Sequence, residues 1–133
     1  RQRPASASAG HRGGRAVSYD IRLAMPDGST PEIAPHSFAG GTYALGGTTD
    51  PWLNITYNYS RAFYRVLGDK GIRTVYGMTA RAGALLLRDA AAQLTGEPDL
   101  DYWAPTDGNA RKALLSLAAL ADLCPPDAIF EGD

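Results

Sequence analysis

The chain holds one cysteine, Cys124, so it has no intramolecular disulfide framework. Histidine is almost as scarce, with only His11 and His36. Outside the first sixteen residues, His36 and Cys124 are the only strong nitrogen and sulfur ligands, and neither has a partner at ligand spacing. No metal site is expected, and no cofactor. There is no run of about 18 apolar residues and no charged-then-apolar signal segment, which predicts a soluble protein of the cytosol. Charge of one sign is missing too. Thirteen Lys and Arg against 14 Asp and Glu give a net charge of −1, which offers no global argument for nucleic acid or membrane. What remains is 133 residues, 44% of them hydrophobic. A chain of that size forms one domain with its own core and buries roughly two-thirds of its unfolded surface.

Residues 1–16, RQRPASASAGHRGGRA, differ from the rest. They contain Arg1, Arg3, Arg12 and Arg15, no acid, and no hydrophobic periodicity. A stretch of this kind cannot offset its ordering entropy by burial, so it is expected to be disordered. Its two readings are a basic arm that touches phosphates and a non-native leader, and the leader is favoured. Val17 read from a GTG codon would start a chain Met-Ser-Tyr-Asp, and inspection of the reading frame tests this. Thirteen basic residues less those four leave nine against 14 acids, so residues 17–133 form a mildly acidic domain of net charge −5.

The domain opens with alternation. Tyr19, Ile21, Leu23 and Met25 share one side, the period of a half-buried strand. Pro26-Asp27-Gly28-Ser29 is a turn. Residues 30–38 suit an edge strand or extended loop, because Pro31 and Pro35 cannot donate to a ladder. A short strand is expected at 42–45 and a clear one at 52–59, with Leu53, Ile55, Tyr57 and Tyr59 opposite Trp52, Asn54, Thr56 and Asn58. The period then becomes helical. Ser60 is a predicted cap for a helix ended by Gly68. Residues 71–77 are too short to classify. Thr79 caps a helix to about Leu94 with the stripe Ala84, Leu87, Ala91 and Leu94. Thr106 or Asp107 caps a third, to Leu123, with the stripe Ala110, Ala113, Leu114, Leu117, Leu120 and Ala121. Strands first and helices later predict an α+β fold: a small antiparallel sheet of three or four strands from the N-terminal half, covered on one face by about three helices.

Residues 35–60, PHSFAGGTYALGGTTDPWLNITYNYS, have the least ordinary composition. If the helices cover the Leu53/Ile55 side, then Trp52, Asn54, Thr56 and Asn58 form an outward polar row about 7 Å apart beside an indole. With Tyr43 and the glycine pairs Gly40-Gly41 and Gly46-Gly47, this row is the candidate binding surface for a polar ligand or a protein. An ordinary solvated strand face is the plainer reading. From Gly41 the Gly-x4-Gly spacing resembles a phosphate loop, but Gly47 replaces the lysine and a strand follows, so nucleotide hydrolysis is rejected. The glycines fit hairpins and bulges better. His36 is a weak general-base candidate, oriented by Asp50 or Asp107 if the fold brings them near; a structural histidine is the commoner case. Cys124 reads as a small buried hydrophobe. The sequons Asn54-Ile55-Thr56 and Asn58-Tyr59-Ser60 are expected to be unmodified without a signal segment. Two acidic runs carry aromatics, Asp99-Leu100-Asp101-Tyr102-Trp103 and Asp127–Asp133. Such groups can imitate phosphates in a basic groove, but Asp99, Asp101, Asp107, Asp127, Glu131 and Asp133 are few, and solvated loops are the simpler assignment.

The strings GGTYALGGTTDPWLNITYNYS, GIRTVYG, DYW with TDGNA, and PDAIFEGD together resemble a family of small proteins encoded by phages and prophages, over most of residues 18–133. The resemblance implies an accessory gene and carries over no catalytic residue. The expected function is therefore a non-enzymatic binding module that occupies a host or phage protein, as an inhibitor of host defence would, in the host cytosol. Membrane is excluded and nucleic acid disfavoured as partner, and the oligomeric state is open. The alternatives are a small-molecule binder or enzyme using the glycines, His36, Asn54 and Asn58, and a structural virion component.

Overall fold

In a computed structural model that describes residues 18–38 and 47–133, strand β1 spans Ser18–Ala24, with Tyr19, Ile21 and Leu23 buried and Ser18, Asp20 and Arg22 half-exposed. The second strand, β2, spans Trp52–Thr56 and pairs antiparallel with β1, with Ile55 opposite Tyr19 and Leu53 opposite Ile21. This register puts five apolar side chains on one face, as the alternation of both segments requires. The strand expected at 42–45 lies outside the described residues, as do Gly40, Gly41, Tyr43, Gly46 and the basic stretch 1–16.

Helix α1 spans Ser60–Leu67, α2 Ala80–Ala91 and α3 Asp107–Asp122. Their apolar stripes lie where the spacing puts them: Ala84, Leu87, Ala91 and Leu94 are buried, as are Ala110, Ala113, Leu114, Leu117, Leu120 and Ala121. The α2 and α3 helices pack on each other, and the shared core with the sheet includes Phe63, Ile72 and Phe130. Thr79 Oγ1 accepts from Ala82 N at 3.1 Å and Thr106 Oγ1 from Asn109 N at 3.1 Å, which satisfies otherwise orphaned donors at the two helix starts. Gly68, at φ 94°, ends α1 in a backbone region that favours glycine.

Three local expectations are corrected. β2 stops at Thr56 rather than 59, because residues Tyr57–Tyr59 turn into a 3-10 helix that runs on into α1. The cap is Thr56, whose Oγ1 accepts from Asn58 N at 3.1 Å; Ser60 instead hydrogen-bonds Tyr19 OH at 2.6 Å and ties α1 to β1. The terminal acidic run is not a loop. Ile129–Gly132 is strand β3, antiparallel to β1, in a sheet of order β2-β1-β3. Phe130 points into the core while Glu131, opposite Arg22, pairs with it at 3.3 Å on the outer face. The outer edge of β3 is closed, since Phe130 N donates to Met78 O at 3.0 Å and Gly77 N to Phe130 O at 2.8 Å. The α+β class stands, with two strands from the N-terminal half and the third from the far end of the chain.

Candidate functional site

Between α2 and α3 the chain must reverse, and residues 96–106 do so with Gly96, Pro98 and Pro105 and two aspartates spaced by two. Each aspartate bonds the backbone two residues on: Asp99 Oδ1 accepts from Asp101 N at 2.7 Å, and Asp101 Oδ1 from Trp103 N at 3.0 Å. Consecutive turns of this kind fix a loop locally. A buried amide then fixes it globally. Asn109, in the first turn of α3, is 5% exposed. Its Oδ1 accepts from Asp99 N at 2.8 Å, and its Nδ2 donates to Asp101 O at 2.9 Å and Ala104 O at 3.0 Å. Gly108 lets the loop pass this close, since a Cβ there would overlap the Glu97 carbonyl.

The sheet side holds the same loop from beneath. Tyr59 OH donates to Tyr102 O, Asn58 Nδ2 donates to Trp103 O at 2.8 Å, and Thr56 N donates to Tyr102 OH at 3.2 Å. The Tyr102 ring stands edge-on to Tyr59 at 5.6 Å and to Trp103 at 4.9 Å. Burial pushes the Tyr102 hydroxyl up to about 12 and raises that of Tyr59 further, with Tyr102 and Asp101 nearby adding to the rise. Both phenols stay protonated at neutral pH and act as hydrogen-bonding struts.

Such a scaffold presents what it does not bury. Leu100 is fully exposed and Trp103 is 54% exposed. Tyr64, Leu85, Leu100 and Trp103 are the exposed large hydrophobics among the described residues, and two of them stand on this one loop. A cavity of about 150 Å³ lies on one flank, between Tyr59, Leu100, Tyr102, Lys112 and Ser116. On the other flank an open groove is lined by Asn58, Arg61, Arg65, Pro105 and Asp107, with Arg65 Nη2 2.6 Å from Asp107 Oδ1.

The helices do cover the Leu53/Ile55 side, but the row opposite is not an open surface. Trp52 is 6% exposed and Thr56 2%. Asn54 is half-buried and spends its amide across the strands, on Ser18 Oγ at 2.7 Å and Asp20 Oδ1 at 3.0 Å. Asn58 is exposed, past the strand end, where it braces Trp103. Gly47 is exposed at φ 89° in the strip that pairs Thr48 with His36. His36 is buried, its Nε2 donating to Asp50 O at 2.7 Å and its Nδ1 accepting from Phe38 N at 3.1 Å, so both ring nitrogens are taken by backbone. It clasps residues 36–38 to 48–50; Asp107, a suggested orienting partner, pairs with Arg65 instead. Burial pushes the Cys124 thiol up to about 11, which leaves it protonated and a poor nucleophile at neutral pH. Among the described residues no three His, Cys, Asp or Glu side chains group to hold a metal ion, and no helix is long and apolar enough to cross a membrane.

Trp52→Ala is therefore expected to behave as a core truncation, costing about 3–5 kcal/mol. Asn58→Ala should cost about 1 kcal/mol or less. Urea midpoints at constant slope compare the two, and equal costs would mean the indole is not packed.

Sequence reasoning named Asp99–Trp103 but assigned it to solvent, and it passed over Asn109. The usable signal was the Asp-x-Asp-x-Trp spacing followed by Thr-x-x-Asn, which is two side-chain turns and a capped helix with an amide in its first turn. The chain matches no protein-family pattern, no curated protein and no solved structure.

Proposed function

We propose that this chain is a non-enzymatic binding module that docks on a protein through Leu100 and Trp103. The observation that carries the reading is a loop braced on both sides, by Asn109 and by Asn58 and Tyr59, with Leu100 and Trp103 left in water. Ordering a loop on binding costs free energy, so one already ordered keeps more of its contact energy as affinity. A central aromatic with an aliphatic neighbour and a polar rim, here Asp99, Asp101 and Lys112, is the usual anatomy of an interface hot spot. The likeness to small phage and prophage proteins directs the partner to a host macromolecule, with inhibition by occupancy as the outcome and the host cytosol as the place.

Capture from host lysate on the immobilised chain is the test, with Trp103→Ala, Leu100→Ala and the remote Leu85→Ala run in parallel. Loss of about 2 kcal/mol, or roughly 30-fold in affinity, is expected for Trp103→Ala, with Leu85→Ala unchanged. Capture that is indifferent to both loop substitutions would overturn the reading.

A further inference from the structure

Asn109, Lys112, Ala113 and Ser116 fall at i, i+3, i+4 and i+7 along α3, so they share one face of that helix. This face, the loop residues 98–100 and the rings of Tyr59 and Tyr102 enclose the cavity of about 150 Å³. A cavity of about that size admits one six-membered ring.

The lining divides by depth. Tyr59, Asn109 and Ala113 are buried, Tyr102 and Ser116 are half-buried, and Pro98, Asp99, Leu100 and Lys112 stand exposed at the mouth. The polar atoms of the floor are already occupied. Tyr59 OH donates to Tyr102 O, and the Asn109 amide is taken up by Asp99 N and the carbonyls of Asp101 and Ala104. The floor therefore suits an apolar body. Its two phenol rings stand edge-on with centroids 5.6 Å apart, and each is pinned by its hydroxyl, that of Tyr102 accepting from Thr56 N. Rings held in place present fixed faces and edges for a third aromatic ring to pack on.

The mouth differs. Lys112 makes no ion pair and Ser116 no side-chain hydrogen bond among the described residues. One helical turn apart, they offer a cation and a hydroxyl donor from the helix wall. Asp99 belongs to the loop wall, and its Oδ1 already accepts from Asp101 N. The geometry points to a binding site for a small aromatic acid, its ring against Tyr59 and Tyr102 and its carboxylate on Lys112 and Ser116. Repulsion from Asp99 keeps that carboxylate on the helix side. The site lies beside the docking loop, but its test uses the chain alone, so it stands or falls separately from partner capture.

Titration of the full chain with benzoate, followed by heteronuclear NMR, tests it. Saturable shifts at Tyr59 and at residues 98–102 and 109–116 are expected, with Kd of about 1 mM or tighter. Lys112→Met keeps the apolar stem of an exposed side chain and removes its charge, so benzoate should bind about tenfold more weakly, as when a charge-assisted hydrogen bond is lost. Benzamide lacks the charge, benzylamine reverses it and acetate lacks the ring, and each is expected to bind at least about tenfold more weakly than benzoate. No saturable shift at about ten times the expected Kd overturns the site, and shifts confined to other residues overturn its place. Benzylamine binding as tightly as benzoate, or indifference to Lys112→Met, overturns the choice of an acid. Acetate binding as tightly as benzoate overturns the role of the tyrosine rings.

Discussion

Replacing Asn109 with leucine is expected to destabilise the fold by about 3 kcal/mol and to abolish partner capture together. Leucine matches the size but supplies no polar atom, so Asp99 N and the carbonyls of Asp101 and Ala104 lose their partners. An orphaned buried backbone group costs about 1–3 kcal/mol, less where the loop opens and lets water in. The loop has that escape, since its other face is exposed, and opening it removes the fixed presentation of Trp103. Stability and binding therefore fall through one cause. Asn109→Asp is the sharper variant. It keeps an acceptor for Asp99 N but turns a carboxylate oxygen toward two carbonyls that need a donor, so it should be no better than leucine. Urea denaturation followed by circular dichroism reads the stability of both variants, and capture reads their binding. A cost within about 0.5 kcal/mol, as for an ordinary surface change, would show that the amide does not hold the loop.

Phe130→Ala should cost about 3–5 kcal/mol, the range for emptying a buried aromatic site. Phe130 is fully buried on β3, and its ring lies against Gly83 of α2, where a Cβ would overlap ring carbon Cε2. In most helix interiors Gly→Ala stabilises by about 1 kcal/mol. Here Gly83→Ala should instead destabilise by about 1–3 kcal/mol through overpacking, because the ring has no free side to retreat to. With Phe130 already truncated the clash is gone, and the same Gly83→Ala should turn neutral or stabilising. A double-mutant cycle measured by denaturant midpoints reads the reversal of sign, and additivity within about 0.5 kcal/mol would mean ring and helix do not touch.

The failures of sequence reading share a physical origin with its successes. The stripes of α2 and α3, their threonine caps, the alternation of β1 and the inward side of β2 are properties of near neighbours, and each was readable. The stop at Gly68 was equally local. β3 escaped notice because four residues give too little alternation to outweigh the acids around them. Phe130 shows its role only when β1 and α2 are in place. The outward row of β2 failed for a related reason. Alternation states which side chains share a side, but not what lies over that side, and Trp52 and Thr56 turned out buried. Thr56 also ends the strand, because it caps the turn into α1.

Period and punctuation in the sequence therefore determined the α+β class, the helix stripes, the starts of α2 and α3 and the face of β2 that meets the core. Those signals act over four or five residues, within reach of one helical turn or one side-chain bond to the backbone. Tertiary structure alone decided that an apparently solvated acidic segment is a braced platform. The bonds that brace it join Asn109 to Asp99 across ten positions, Tyr59 to Tyr102 across 43 and Asn58 to Trp103 across 45. Contacts at such separations leave no period in the sequence, since they exist only once the core has brought α1, β2 and the start of α3 together.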